Sequence, residues 1–121
     1  MRKERILIID DDRVSVEMTY RVLQGKGYDV MAAQDGLEAL ELLNKKIPDL
    51  ILLDVQMPRL DGYGFIKQTK TNPLLAKIPV IVLSAMGKTE PLFKRYGVKA
   101  YLVKPLNTDN LLNKIQELLP N

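Results

Sequence analysis

The sequence contains no cysteine and no histidine. Without cysteine there is no disulfide framework and no thiolate nucleophile. Without histidine, imidazole acid–base catalysis and most zinc sites are excluded, as is a serine nucleophile activated by histidine. Aromatic residues make up only 6%, few for a surface that stacks on bases. No apolar run approaches the length that spans a bilayer. The start, Met1-Arg2-Lys3-Glu4-Arg5, is basic, but only Ile6 to Ile9 follow before three aspartates. That is too short for the apolar part of a signal peptide. A bacterial-type cytoplasm is the expected location, with no membrane contact.

What is present reads as one globular domain over residues 1–121. Hydrophobic residues make up 46% and charged residues 27% of 121 positions, enough for a core. There is no internal repeat, low-complexity segment or linker. The net charge is +3 and the sequence pI about 9.1. The cations are scattered, apart from Lys94, Arg95, Lys99 and Lys104. A solvated surface fits this better than a nucleic-acid patch, which needs denser Lys/Arg with aromatics between.

Apolar strand-like runs alternate with segments of helical period. Ile6 to Ile9, Tyr28 to Ala33, Leu50 to Val55, Val80 to Ser84 and Lys99 to Val103 read as five strands. A first helix is expected from about Arg13 to Lys26, with Val14, Met18 and Val22 as its apolar face and Gly25 and Gly27 at its end. Asp35 opens a second, with Glu38 at capping-box spacing and an apolar face of Leu37, Leu40 and Leu43. Asp61 caps a third over Gly62 to about Thr71. A short helix is expected over Glu90 to Tyr96, and a last one from near Asn107 that buries Leu111, Ile115 and Leu118. This alternation predicts an α/β fold. It is a doubly wound, five-stranded parallel sheet of order 2-1-3-4-5, flavodoxin-like, with helices on both faces. Ligands of such sheets bind at the carboxyl ends of the strands, near the switch point between strands 1 and 3.

Four strand ends carry polar groups to that rim. Asp10-Asp11-Asp12 follows strand 1 and Asp54 ends the apolar run of strand 3. An unpaired charge in a strand interior is costly, so Asp54 is expected at the mouth of the sheet. Asp12 is placed to cap the first helix, and one cap is enough; Asp10 and Asp11 need another account. Like charges this close raise one another's pKa unless a cation intervenes. A hard divalent ion such as Mg²⁺ is the natural solution, though on the residues alone plain rim charges remain open. Lys104, ending strand 5, is either a strand-end charge or a counter-charge to the carboxylates. Ser84, ending strand 4, is either a turn hydroxyl or a donor aimed at the same crevice. The residues give no reason to expect a cis peptide at Lys104-Pro105.

These segments resemble the receiver domain of two-component response regulators. The resemblance rests on Ile6-Leu7-Ile8-Ile9-Asp10-Asp11-Asp12, Leu52-Leu53-Asp54-Val55-Gln56-Met57-Pro58 with Asp61-Gly62, Val82-Leu83-Ser84-Ala85, and Tyr101-Leu102-Val103-Lys104-Pro105. Each motif alone is weak; four in order, each at a strand end, are specific, and they cover nearly the whole chain. The resemblance implies a signalling domain rather than an enzyme acting on a separate substrate, one that catalyses its own phosphorylation and dephosphorylation. Asp54 would be the phosphoacceptor, taking its phosphoryl group from a phosphohistidine of a sensor histidine kinase or phosphotransfer protein. Asp11 would bind Mg²⁺ directly, Asp10 through water, and the Gln56 backbone carbonyl would be a further ligand beside Asp54. Lys104 would pair with the phosphoryl group, Ser84 would follow it, and Tyr101 would turn inward. The Lys104-Pro105 peptide would be cis. Downstream partners would be an effector or output domain, and the state monomeric or a weak phosphorylation-dependent dimer.

The stretch from Ser84 to Lys104 is about two residues shorter than usual for the family, by the same comparison. Pro91 and Gly97 bracket its helix, which is expected to be short, displaced or mobile, with the usual dimer face in doubt. By the resemblance, Gln56 and Met86 would stand at positions that modulate phosphoryl lifetime across the family. The competing expectation is a degenerate receiver acting as a constitutive protein-interaction module. An aspartyl phosphohydrolase would need a second acid near the nucleophile and a substrate cap, and Asp61 is better read as a helix cap. A flavin-binding protein would need a phosphate loop where three aspartates stand.

Overall fold

The computed structural model describes residues 3–54, 62–84, 97–104 and 106–119. In chain order the elements are β1 (Arg5–Ile9), α1 (Arg13–Gly25), β2 (Asp29–Ala33), α2 (Gly36–Leu43), β3 (Leu50–Asp54), α3 (Gly62–Lys70), β4 (Val80–Ser84), β5 (Ala100–Val103) and α4 (Thr108–Leu118). The five strands form one sheet of order β2-β1-β3-β4-β5, and every neighbouring pair is parallel. The expected strand order is the observed one. The expected helix over 90–96, the Asp61 cap, the peptide into Pro105, Gln56 and Met86 lie outside the described residues.

The central strands are apolar from Ile6 to Ile9, Leu50 to Leu53 and Val80 to Leu83 because both faces of the sheet are covered there. Side chains alternate sides along a strand. Leu7, Ile9, Ile51, Leu53, Val80 and Val82 therefore meet Ala39 and Leu43 of α2 and Phe65 and Ile66 of α3. Ile6, Ile8, Leu50, Leu52, Ile81 and Leu83 meet Leu23 of α1 and Leu111 and Ile115 of α4. Fully burying each such side chain stabilises the fold by about 1.5–3 kcal/mol. Register sets the rim: Ile9 lies beside Leu53, and Asp54 beside Leu83.

Helix ends follow local chemistry. The Asp12 carboxylate accepts from the Val14 and Ser15 amides and caps α1. The Asp35 carboxylate accepts from the Glu38 amide at 2.9 Å and caps α2. Asn107 does the same for α4 toward Asn110. At the other end of α1, Tyr28 N–H bonds Leu23 C=O and Gly27 N–H bonds Gln24 C=O. This closure needs a left-handed residue, and Gly27 supplies it at φ +93°.

Two expected helix faces are corrected. On α1, Val14 and Met18 are 68% and 65% exposed, while Leu23, with Val16 and Tyr20 beside it, packs on the sheet. The two stripes start two positions apart, which on a helix of 3.6 residues per turn is about opposite sides. The 16-20-23 spacing keeps closer to that period and carries the larger side chains, so it wins the core. On α2, Leu43 is buried and Leu40 partly buried as expected, but Leu37 is 42% exposed and Ala39 takes the remaining inward place. Of the last helix's expected face, Leu111 and Ile115 are buried, and Leu118 is partly buried against them.

Candidate functional site

The site lies where β1 and β3 run out. Asp10 N–H bonds Ala33 C=O at 3.0 Å, so the β1–β2 ladder continues one residue past β1 and holds Asp10 at the rim. Asp54 is the last residue of β3. Both carboxylates are buried, at 5% and 7% exposure, while Asp11 is exposed. Oxygen atoms of Asp10, Asp11 and Asp54 all lie within 4.8 Å of one another. The cluster expected from the sequence is therefore assembled, across the switch point.

Lys104 closes the other side. Its Nζ lies 3.4 Å from Asp10 Oδ2 and 3.3 Å from Asp54 Oδ2. These are long for charge-assisted bonds, and one ammonium is shared between two carboxylates. Three carboxylates against one ammonium leave the pocket net negative. The Asp10 carboxyl is pushed above the usual carboxylate range, first by burial and then by the facing Asp54. The Asp12 backbone amide and the Lys104 charge act against that rise. Burial alone would lower the Lys104 pKa, but the two carboxylates outweigh it and hold the ammonium above its ordinary value.

Ser84 ends β4 and is 4% exposed. Its carbonyl accepts from Lys104 N–H at 2.8 Å. The β4–β5 ladder thus reaches the rim and joins the two residues by their backbones. Tyr101 lies opposite Val82 on β5 and packs, half-buried, on the core face that α2 and α3 cover. Ser84, Lys104 and Tyr101 thus follow one another along the β4–β5 side of the site.

The third aspartate divides its work between side chain and backbone. Asp12 Oδ1 accepts from Val14 and Ser15 amides at 3.1 and 3.4 Å, and Oδ2 accepts from Ser15 Oγ at 3.1 Å. Its own N–H donates to Asp10 Oδ1 at 2.9 Å. The capping role is legible in the residue type; the amide on Asp10 is not, because every residue but proline carries one. A groove of about 270 Å³ runs from Asp10 and Lys104 between α1 and α4, with Met18, Val22 and Leu106 in its walls. It was hidden from sequence reasoning by the assignment of Met18 and Val22 to the core.

Fold and site together define a doubly wound α/β domain with an acidic, lysine-bridged pocket at its switch point. A family model described as the response regulator receiver domain matches residues 6–116. Among curated proteins the chain is similar to the DNA-binding dual master transcriptional regulator RpaA of Synechocystis, 35% identical over 95% of this chain and 48% of that protein. Among solved structures it is similar to the chemotaxis protein CheY4 of Vibrio cholerae, with TM-score 0.90, 31% identity, and coverage of 97% of this chain and 99% of that one. It is also similar to the receiver domain of a sensor histidine kinase from Pseudomonas aeruginosa, with TM-score 0.89, 25% identity, and coverage of 99% of this chain and all of that one. That structure has a magnesium ion coordinated in its active-site cleft. The chain belongs to the response regulator receiver family, and is a signalling domain of two-component phosphorelays. It spans about half the length of the curated relatives it matches. Among the described residues, no helix is long and apolar enough to cross a membrane.

Proposed function

We propose that this receiver accepts a phosphoryl group on Asp54 from a phosphohistidine of a sensor histidine kinase or phosphotransfer protein. The observation that carries the reading is the setting of the Asp54 carboxylate. It is nearly buried at a strand end, 3.3 Å from Lys104 Nζ and grouped with Asp10 and Asp11. In the transfer, an Asp54 oxygen bonds to phosphorus as the bond from phosphorus to the donor imidazole nitrogen breaks. The bonding pair returns to the imidazole. Such a reaction asks a protein mainly for in-line positioning and for neutralisation of the equatorial oxygens. Lys104, already midway between two carboxylates, is placed for the second task.

Asp10, Asp11 and Asp54, with the Gln56 backbone carbonyl, would hold Mg²⁺. Every donor is a hard oxygen, as that ion prefers, and the pocket's excess of carboxylate is the charge it would offset. When bound, Mg²⁺ supplies positive charge to the phosphoryl oxygens. The exposed Asp11 is the carboxylate a cation meets first, and Asp10 backs it from within.

An aspartyl phosphate carries more charge and more acceptors than the carboxylate it replaces. Lys104 then shifts toward the new oxygens and the Ser84 hydroxyl donates to one of them. The bond from Lys104 N–H to Ser84 C=O supports a shared movement, which Tyr101 follows inward. The signal leaves on the β4–β5 side toward an effector or an output domain of a longer chain, with the receiver a monomer or a weak phosphorylation-dependent dimer. The receiver itself contacts neither nucleic acid nor membrane. Met18, 65% exposed in the wall of the groove that reaches Asp10 and Lys104, belongs to the apolar face on which the donor protein rests.

Incubation with Mg²⁺ and a small phosphodonor, followed by intact mass, tests the reading. The chain gains one phosphoryl group and Asp54→Asn gains none. A chain that never gains one, yet binds its effector, is a constitutive interaction module instead.

A further inference from the structure

The α1 cap and the acid pocket share one residue, and the two halves of that residue face different ways. The Asp12 side chain turns toward the helix, bonding the Val14 amide, the Ser15 amide and the Ser15 hydroxyl. This holds the Asp12 backbone extended, at φ −85° and ψ 105°. In that conformation its N–H lies 2.9 Å from Asp10 Oδ1. The other Asp10 oxygen faces Lys104. Asp10 is buried, and its carboxylate is held on Oδ1 by the Asp12 amide and on Oδ2 by Lys104 at 3.4 Å.

We infer that Asp12 is a positioning residue for the cation site: by capping α1 it aims its own amide at Asp10 Oδ1 and so fixes which Asp10 oxygen is presented to a cation. The inference rests on the reading of Asp10 and Asp11 as cation ligands. Loss of the cap lets the first turn of α1 fray, the residue 12 amide leaves its line, and the Asp10 carboxylate loses the contact that fixes Oδ1. Groups that orient a metal ligand without touching the metal typically change affinity by about 10–100-fold when removed. Asn at position 12 keeps an acceptor for the helix amides while it removes the exposed charge and the Oδ2 acceptor of the Ser15 hydroxyl.

The test compares Asp12→Ala, Asp12→Asn and Asn107→Ala with the unaltered chain. Asn107→Ala removes the equivalent cap from α4, where Asn107 Oδ1 accepts from the Asn110 amide. Three readouts are taken: the Mg²⁺ dissociation constant by calorimetry, hydrogen exchange of the residue 12 amide, and the thermal midpoint in EDTA. Asp12→Ala is expected to weaken Mg²⁺ binding about tenfold and to speed exchange of the residue 12 amide. Asp12→Asn stays within about threefold of the unaltered chain, the exposed charge being screened. Asn107→Ala lowers the thermal midpoint and leaves Mg²⁺ affinity unchanged. Equal weakening by Asn and Ala makes charge rather than the cap responsible and overturns the inference. So does weakening by Asn107→Ala, or unchanged affinity in Asp12→Ala while the unaltered chain binds Mg²⁺. No Mg²⁺ binding by the unaltered chain overturns the cation reading itself and this inference with it.

Discussion

Ile9 and Asp10 are neighbours on one strand line, and Leu53 and Asp54 on the next, yet each pair straddles two environments. From Ile6 to Ile9 and from Leu50 to Leu53, exposure lies between 0% and 2% and every side chain is a hydrocarbon. One residue further, two carboxylates as deeply buried as many core residues share a single ammonium. The interior lowers the free energy of the fold. The rim raises it, since desolvated like charges oppose one another. Stability and chemistry are thus separated by one step along the same strands, and changes on either side of that step should give opposite signatures.

The sharpest break in stability is expected on the interior side. Leu52 lies between Ile8 and Ile81 in register and is fully buried. Leu52→Ala should cost about 2–5 kcal/mol, read by urea denaturation. Below its melting point the variant should still gain a phosphoryl group. On the rim side, Lys104→Ala should slow phosphorylation by a small donor about 10²–10³-fold, read as an initial rate by mass. A strong loss of rate in Leu52→Ala while folded, or none in Lys104→Ala, would break the comparison.

The pH dependence of the metal-free chain sharpens it further. Asp10 has a raised folded pKa, above its ordinary 3.8, by burial first and then by Asp54. The fold therefore binds that proton more tightly than the unfolded chain does. By linkage, the cost of ionising Asp10 is absent below the ordinary value. It grows as pH rises from there to the raised value, and is constant above. Lys104 has the opposite charge and a raised folded pKa. Its contribution is present below the ordinary lysine value of 10.5 and lost as pH rises through the raised one. Thermal midpoints in EDTA should show Asp10→Asn gaining on the unaltered chain as pH climbs out of the carboxylate range. A constant difference across that range would contradict the assignment.

The smallest expected effect is on α1. Met18→Glu should leave stability and small-donor phosphorylation unchanged. It should slow transfer about tenfold from a histidine-kinase or phosphotransfer protein that phosphorylates the unaltered chain. Equal slowing with both donors would place the effect in the pocket rather than on the donor's resting face.

The rim was legible in the sequence for a simple reason. Apolar runs that stop at Asp10, Asp54, Ser84 and Lys104 mark strand ends, and the α/β alternation sends parallel strand ends to one side. The observed cluster of Asp10, Asp11, Asp54 and Lys104 follows from that alone. The outward stripe of α1 was not legible, because one helix carries two apolar stripes and only packing chooses between them. Val14, Met18 and Val22 have cleaner fourfold spacing, but Tyr20 and Leu23 fill more space on the sheet. On α2, Leu37 lost its expected place to Ala39, which is fully buried in the core beside Leu43. The Asp12 amide on Asp10 had no signature in residue type, since it is a backbone group placed by a cap.

The most direct test of the rim as a phosphoacceptor site is intact mass of the chain and of Asp54→Asn. Both are incubated with a small phosphodonor, with Mg²⁺ and with EDTA. The account predicts one phosphoryl group on the unaltered chain with Mg²⁺, little with EDTA, and none on Asp54→Asn, whose fold is at least as stable without metal. Phosphorylation that persists in Asp54→Asn, or that ignores Mg²⁺, would contradict it.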